Sequence, residues 1–169
     1  GGRQWVVALD AATGKSLWET EAGDAFPQDR GPGPRGTPSV DGDTLYSLSA
    51  DGTLVSLQAA SGKVNWKLNI LSKFDGSQIH WGLSESPLVD GDRLFVTPGG
   101  PGKSVVALDK KTGRTLWAAG DGVAAYSSAI AFDFGGQRHL VVFTAKGVTG
   151  FNAANGWVMW NYAKVANRT

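Results

Sequence analysis

The chain has 169 residues, 16 basic and 15 acidic side chains, no cysteine, 24 glycines and seven tryptophans. That composition excludes disulfides and thiolate metal centres, and without a Lys/Arg cluster or an acidic block there is no nucleic-acid footprint and no charged tail. No apolar run approaches the roughly 18–20 residues that span a bilayer, and Gly1-Gly2-Arg3 leads into a strand with no signal-peptide pattern.

Arg3 to Leu9, built of β-branched, aromatic and aliphatic residues, is predicted as a strand. Asp10 to Lys15 turns the chain, and Ser16 to Thr20 returns it with Trp18. The Gly/Pro-rich stretch Gly23 to Arg35 is a loop, since Pro rules against a central strand. A four-strand unit follows: Thr37 to Val40, Thr44 to Ser49, Thr53 to Leu57 and Val64 to Asn69, separated by Asp-Gly and Ser-Gly turns at Asp41-Gly42, Asp51-Gly52 and Ser61-Gly62. The third unit repeats the plan with Ser86 to Val89, Arg93 to Thr97, Ser104 to Leu108 and Arg114 to Ala118. The fourth comprises Ser127 to Phe132, His139 to Thr144, Val148 to Phe151 and Trp157 to Tyr162. No window has helical periodicity, so no helix is predicted.

One motif recurs through these units. Ala8-Leu-Asp-Ala-Ala-Thr-Gly-Lys-Ser-Leu-Trp18 returns as Ala107-Leu-Asp-Lys-Lys-Thr-Gly-Arg-Thr-Leu-Trp117, with weaker copies at 56–66 and 150–160. Its glycines stand at 14, 62, 113 and 156, a period of roughly 43–51 residues that marks a propeller or another repeat array. The fold class is therefore all-β: a propeller segment of about 3.5 four-stranded antiparallel blades. Residues 1–23 form a half blade, and 36–69, 84–119 and 126–163 form full ones. An open array exposes unpaired edges, so the chain is expected either to be part of a larger ring or to assemble with a second copy.

The motif has a structural reading of its own. Asp10 and Asp109 accept backbone N–H groups at the start of a turn, and Gly14, Gly62, Gly113 and Gly156 permit the reversal. Trp18, Trp66, Trp117 and Trp160 bury large rings that need a partner for the indole N–H. These residues are assigned to fastening blades together rather than to chemistry.

The same residues, with the Asp-Gly hairpins, resemble the tryptophan-docking repeat of pyrroloquinoline-quinone-type (quinoprotein-like) propellers, and the resemblance covers nearly the whole chain. The second copy departs from the pattern at Ser56 and Gln58, the fourth at Gly150 and Asn152. The resemblance implies a ring of seven or eight blades in the bacterial periplasm. It also implies one of two roles: a cofactor-free scaffold like those of outer-membrane assembly, or a dehydrogenase holding the quinone with calcium in its channel funnel. The dehydrogenases resemble one another in a neighbouring cysteine pair, calcium ligands and a catalytic aspartate context that this chain does not match, which favours the non-catalytic scaffold or binding platform. A sensor or ligand-binding domain of a cell-surface protein is a third reading.

Candidate binding residues come from the loops that lead into the innermost strands, because loops on a rigid scaffold carry binding groups. Aligning the units puts Gly36, Glu85 and Ser127 in register, preceded by Arg35, Ser84 and Tyr126. Arg35 offers a fork for carboxylate or phosphate, Glu85 an acceptor or metal ligand, and His80-Trp81 a proton-transfer group beside a stacking surface. With Tyr126 and Ser127 these form the candidate rim for a small molecule or protein partner. The alternative reading of Arg35 and Glu85 is a salt bridge between adjacent blades. Asp29 and Arg30 lie in the same loops. His139 is assigned to partly buried structure, and Lys15, Lys63 and Arg114 to solvated turns. Two histidines and no cysteine make no zinc site. Gly99-Gly-Pro-Gly102 lacks the context of a phosphate loop, and Asn167-Arg-Thr169 matches a glycosylation acceptor.

Overall fold

In the computed structural model the described residues are 2–29, 31 and 33–165; Arg30 and the triplet 167–169 lie outside them. The described chain forms a pair and three quartets of antiparallel strands, each quartet ordered as it runs in sequence. The pair is β1 (Arg3–Leu9) and β2 (Ser16–Asp24). The first quartet is β3 (Ser39–Asp41), β4 (Thr44–Leu48), β5 (Thr53–Gln58) and β6 (Val64–Asn69). The second is β7 (Leu88–Asp90), β8 (Arg93–Val96), β9 (Val105–Asp109) and β10 (Thr115–Ala119). The third is β11 (Ile130–Phe134), β12 (Gln137–Thr144), β13 (Gly147–Asn152) and β14 (Val158–Tyr162).

The four motif copies build one and the same hairpin. In each, the glycine N–H donates to the carbonyl four residues back, at Asp10, Gln58, Asp109 and Asn152, over 2.8–2.9 Å. The carboxylate of Asp109 accepts from the Thr112 hydroxyl and N–H and the Lys111 N–H, as Asp10 does from Thr13 and Ala12. Those bonds, the threonine hydroxyl first, hold both carboxyls below the usual range. Gln58 and Asn152 keep the backbone turn without a carboxylate, so the acid tightens a reversal that glycine already permits. Each hairpin then carries a bulge on its last strand, which pairs Trp18 with Ala8, Trp66 with Ser56, Trp117 with Ala107 and Trp160 with Gly150. The small first residue of the motif is thus the one facing the indole across the ladder.

Consecutive sheets share a core. Val6, Ala22, Val55 and Leu57 close the first joint, with Trp18 and Leu45 against them. Tyr46, Leu54, Leu94 and Leu108 lie in the second with Trp66, and Phe95, Val105, Leu140 and Phe151 in the third with Trp117. Each of these three tryptophans donates its N–H to the fourth motif residue of the next sheet: Trp18 to Ala59 at 3.0 Å, Trp66 to Lys110 at 3.1 Å and Trp117 to Ala153 at 3.3 Å. The ring lies on that sheet's motif glycine so closely that a Cβ at Gly62, Gly113 or Gly156 would stand 2.5, 3.0 or 2.6 Å from it. The fastening role is built this way at all three joints.

Two expectations need correction. A helix is present, α1 (Ile70–Phe74), between the first two quartets. Asn69 caps it by accepting from the Ser72 N–H, and Asp75 ends it in the left-handed region at φ 56. Its five residues bury Ile70, Leu71 and Phe74, too short a run for a helical period to register. The second correction concerns salt bridges between blades. They join Asp41 to Lys110 at 2.5 Å and Asp90 to Arg138 at 2.7 Å, both aspartates from the Asp-Gly-Asp turns, and not Arg35 to Glu85. Elsewhere Lys15, Lys63 and Arg114 are exposed as expected. His139 is buried at 5% exposure, stacked on Phe132. The Gly99-Gly100 step serves close packing: a Cβ at Gly100 would stand 1.9 Å from the Phe74 carbonyl.

Candidate binding rim

The innermost strands are shorter than expected because Pro38 and Pro87 precede them, and proline cannot donate to a ladder. A different set of bonds ties this end of the molecule together. The Thr37 N–H donates to the Ser86 hydroxyl at 3.0 Å, and the Ser86 N–H donates to the Ser128 hydroxyl at 2.8 Å. The Ser39 hydroxyl bonds the Pro87 carbonyl. This belt runs from blade to blade through equivalent positions, in the register aligned from sequence. Its sequence signal was the small hydroxyl residue at the second position of each unit.

Around the belt the predicted residues separate into two groups. Arg35 and Trp81 line one cleft of about 460 Å³ with Gln28, Gly31, Gly33 and Pro34. The Arg35 guanidinium donates to the carbonyls of Gly33 and Gly31, at 2.6 and 3.2 Å, and its carbon lies 5.4 Å from the Phe26 ring centroid. Among the described residues these bonds use only part of its donor fork, since a guanidinium carries five N–H groups. Trp81 is 40% exposed, with its ring 5.4 Å from both Tyr126 and His80. The backbone N–H of Trp81 donates to the Tyr126 hydroxyl, and the Tyr126 carbonyl accepts from the Ser84 hydroxyl. The structure therefore gathers Arg35, His80, Trp81 and Tyr126 at one rim, with Ser127 half-buried beside them.

Glu85 belongs to the interior instead, at 2% exposure. Its two carboxylate oxygens accept from the N–H and hydroxyl of Thr97 at 2.7 and 2.6 Å. Burial pushes its pKa up to about 7 although both bonds from Thr97 act the other way. The neighbouring blade packs against its backbone: a Cβ at Gly36 would stand 2.4 Å from the Glu85 main-chain carbonyl. A quinone with calcium would need open carboxylate oxygens at this rim, and Glu85 supplies none. Among the described residues no three His, Asp or Glu side chains converge on one point. Glu85 therefore does not fit as a ligand for that cofactor's calcium.

The family profile for outer membrane protein assembly factor BamB matches residues 2–169. The chain belongs to this family of quinoprotein-like propeller repeats. Solved relatives have the same fold: BamB from Moraxella catarrhalis superposes with a TM-score of 0.68 at 18% identity, over 96% of this chain and 47% of that one. The quinohemoprotein alcohol dehydrogenase ADHIIG from Pseudomonas putida HK5 superposes at 0.72 and 19% identity, over 99% of this chain and 32% of that one. Among curated proteins, the 1-butanol dehydrogenase (quinone) of Thauera butanivorans is 29% identical over 127 residues, 67% of this chain. The quinoprotein alcohol dehydrogenase PedH of Pseudomonas putida is 29% identical over 120 residues, 66% of this chain. The chain spans 19% of the length of each of those two enzymes. Fold and family are thus common ground for an assembly factor and for quinone enzymes. Among the described residues no helix is long and apolar enough to cross a membrane.

Proposed function

We propose that this segment is a non-catalytic binding platform, working outside the cytoplasm like the assembly factor of its family, and that its rim receives a protein partner. The observation that carries this reading is the Arg35–Trp81–Tyr126 group. Arg, Trp and Tyr are the side chains over-represented where interfaces concentrate their energy. Here a half-exposed tryptophan is braced by a tyrosine ring and stands over a cleft edged by a partly used guanidinium. The hydroxyl belt beneath makes the support rigid. Glu85, the group best suited to acid–base or metal chemistry by residue type, is spent on Thr97.

The test has two arms. Pyrroloquinoline quinone with calcium is expected to leave the melting temperature and the quinone absorbance unchanged; a saturable shift in either overturns the non-catalytic reading. A photo-crosslinker at position 80, in cells expressing the chain in the periplasm, is expected to give a discrete protein adduct that Trp81→Ala removes. Adducts indifferent to both Trp81→Ala and Arg35→Ala refute the rim as the binding surface.

A further inference from the structure

The three joints between consecutive sheets follow one plan, so each serves as a control for the others. At the first joint Ala8 faces the indole, Leu17 precedes the tryptophan, and the fourth and fifth motif residues of the next sheet are Ala59 and Ala60. The third joint has the same four, as Ala107, Leu116, Ala153 and Ala154. The second joint has Ser56, Asn65, Lys110 and Lys111 instead. Tyr46 also stands there where the third joint has Phe95. Five polar side chains thus replace apolar ones at a single joint. The fastening does not require them, since Trp18 and Trp117 reach their carbonyls without any such set.

The five replacements converge in space. They line a cleft of about 250 Å³ between the first two quartets. It opens at the end of the strands where the motif turns lie, whereas the loops of the rim leave the strands at the other end. Tyr46 and Ser56 form its floor, each 1% exposed, and Asn65 and Lys111 are exposed at its mouth. Among the described residues the Ser56 hydroxyl has one partner, the Asn65 amide at 3.4 Å, which is long for a buried group. Lys110 turns its ammonium to Asp41 at 2.5 Å, so the wall carries a closed ion pair. Burying hydroxyls costs free energy that alanine and phenylalanine do not cost. A local rule broken at one member of a repeat marks a place where function sets the residue.

We propose that this cleft binds a small neutral polyol of the size of one sugar ring. Its volume lies below the roughly 300–1,000 Å³ of sites for drug-sized ligands, so the occupant is small. The hydroxyls of Thr44, Tyr46 and Ser56 and the amide of Asn65 can both donate and accept, beside the acceptor Asp41 and the donor Lys110. A sugar hydroxyl is likewise both donor and acceptor, and neighbouring hydroxyls on a ring match such a mixed set. An anion would meet the Asp41 carboxylate in the same wall and would have to draw Lys110 away from it. An apolar ligand would strand the Ser56 hydroxyl.

Ser56→Ala combined with Asn65→Leu gives the second joint the residues of the other two. Each is the other's hydrogen-bond partner, so the double variant removes both halves of the bond and should melt no lower than the parent chain. The probes are glucose, galactose and mannose, titrated to about 100 mM, roughly a hundred times a millimolar dissociation constant, with inorganic phosphate as the anionic control. At least one hexose should give saturable saturation-transfer NMR signals with the parent chain and shift the Asn65 side-chain and Lys111 backbone resonances. The double variant should bind that hexose about 10-fold or more weakly, as the loss of two hydrogen-bonding groups implies. The proposal is overturned by a parent chain that binds none of the three saturably, by binding that the folded double variant retains, or by shifts confined to other residues. Phosphate saturating the same resonances more tightly than any hexose overturns it in favour of an anion site. A double variant that melts well below the parent assigns the Ser56–Asn65 pair to stability and overturns it too.

Discussion

Trp66→Ala takes the indole out of one joint while leaving the glycine it covers, and the cost can be worked from the contacts. A buried tryptophan withdraws roughly 150–250 Å² from water. Trp66 is partly covered, so roughly 100 Å² is withdrawn, worth about 2.5 kcal/mol at ~25 cal/mol per Å². The indole bond to the Lys110 carbonyl adds about 1 kcal/mol. That carbonyl is not orphaned by the change, because the Tyr46 hydroxyl also donates to it at 3.1 Å. The total is about 3–4 kcal/mol. Trp66→Phe keeps one aromatic ring in the joint and loses the N–H and the second ring, for a cost of about 1–2 kcal/mol. Trp160→Ala should cost less than Trp66→Ala, since its ring, 37% exposed, rests on Gly150 and His139 of its own sheet and, among the described residues, on no following one. Urea titrations followed by far-ultraviolet circular dichroism give all three values. If Trp66→Phe destabilises as much as Trp66→Ala, or Trp66→Ala costs no more than Trp160→Ala, the account of the joints as an indole seated on a motif glycine is wrong.

The contacts of the motif glycines can be separated from the turns they form. Gly62→Ala meets both a left-handed backbone, at about 1–2 kcal/mol, and the Trp18 ring, so a loss of about 3 kcal/mol is expected. Gly14→Ala shares the backbone cost alone, and equal losses at the two positions in urea titrations would contradict a contact at Gly62. Glu85 sets a pH dependence. Its folded pKa, about 7 against 4.5 for a solvent-exposed glutamate, means that the native state holds the proton more tightly than the unfolded state. Its stabilising contribution is thus full below about pH 4.5 and falls away as pH rises through about 7, by about 3 kcal/mol in all. Glu85→Gln should flatten that decline between pH 5 and 8 in thermal melts, and an unchanged slope would assign it to another group. Raising the salt concentration should weaken the Asp41–Lys110 and Asp90–Arg138 pairs, both partly exposed. Asp41→Asn is expected to reduce the salt dependence of the urea midpoint; a midpoint with the same salt dependence would mean that pair contributes nothing.

Much of the fold was legible in the residues. The motif glycines and the Asp-Gly steps placed the hairpins, because a left-handed residue or a tight reversal is a local demand that one or two side chains announce. The register of the innermost strands was legible for the same reason, and Thr37, Ser86 and Ser128 occupy it. The helix Ile70–Phe74 was not, since its five residues hold through an Asn69 cap and tertiary burial rather than through periodicity. Of the candidate site, His80 and Trp81 came from asking what the repeat leaves unexplained and Arg35 and Tyr126 from aligning the units, and the fold places the four side chains near one another. Glu85 shows where such reasoning stops: its position in the alignment matches Gly36 and Ser127, yet its environment is set by Thr97, twelve residues away, and by the close backbone of the neighbouring blade.

The sequence by itself determined the repeat, the turns, the pairing order within each blade and the identity of the fasteners, all of which depend on residues near one another in the chain. Only the tertiary structure decided which fasteners are fastened. Trp160 is a motif tryptophan in a copy that carries Gly150 and Asn152, and in the fold it bonds His139 of its own sheet. A motif tryptophan and the carbonyl it bonds lie 36–44 residues apart and on different sheets, so whether the bond forms is a property of the neighbouring blade.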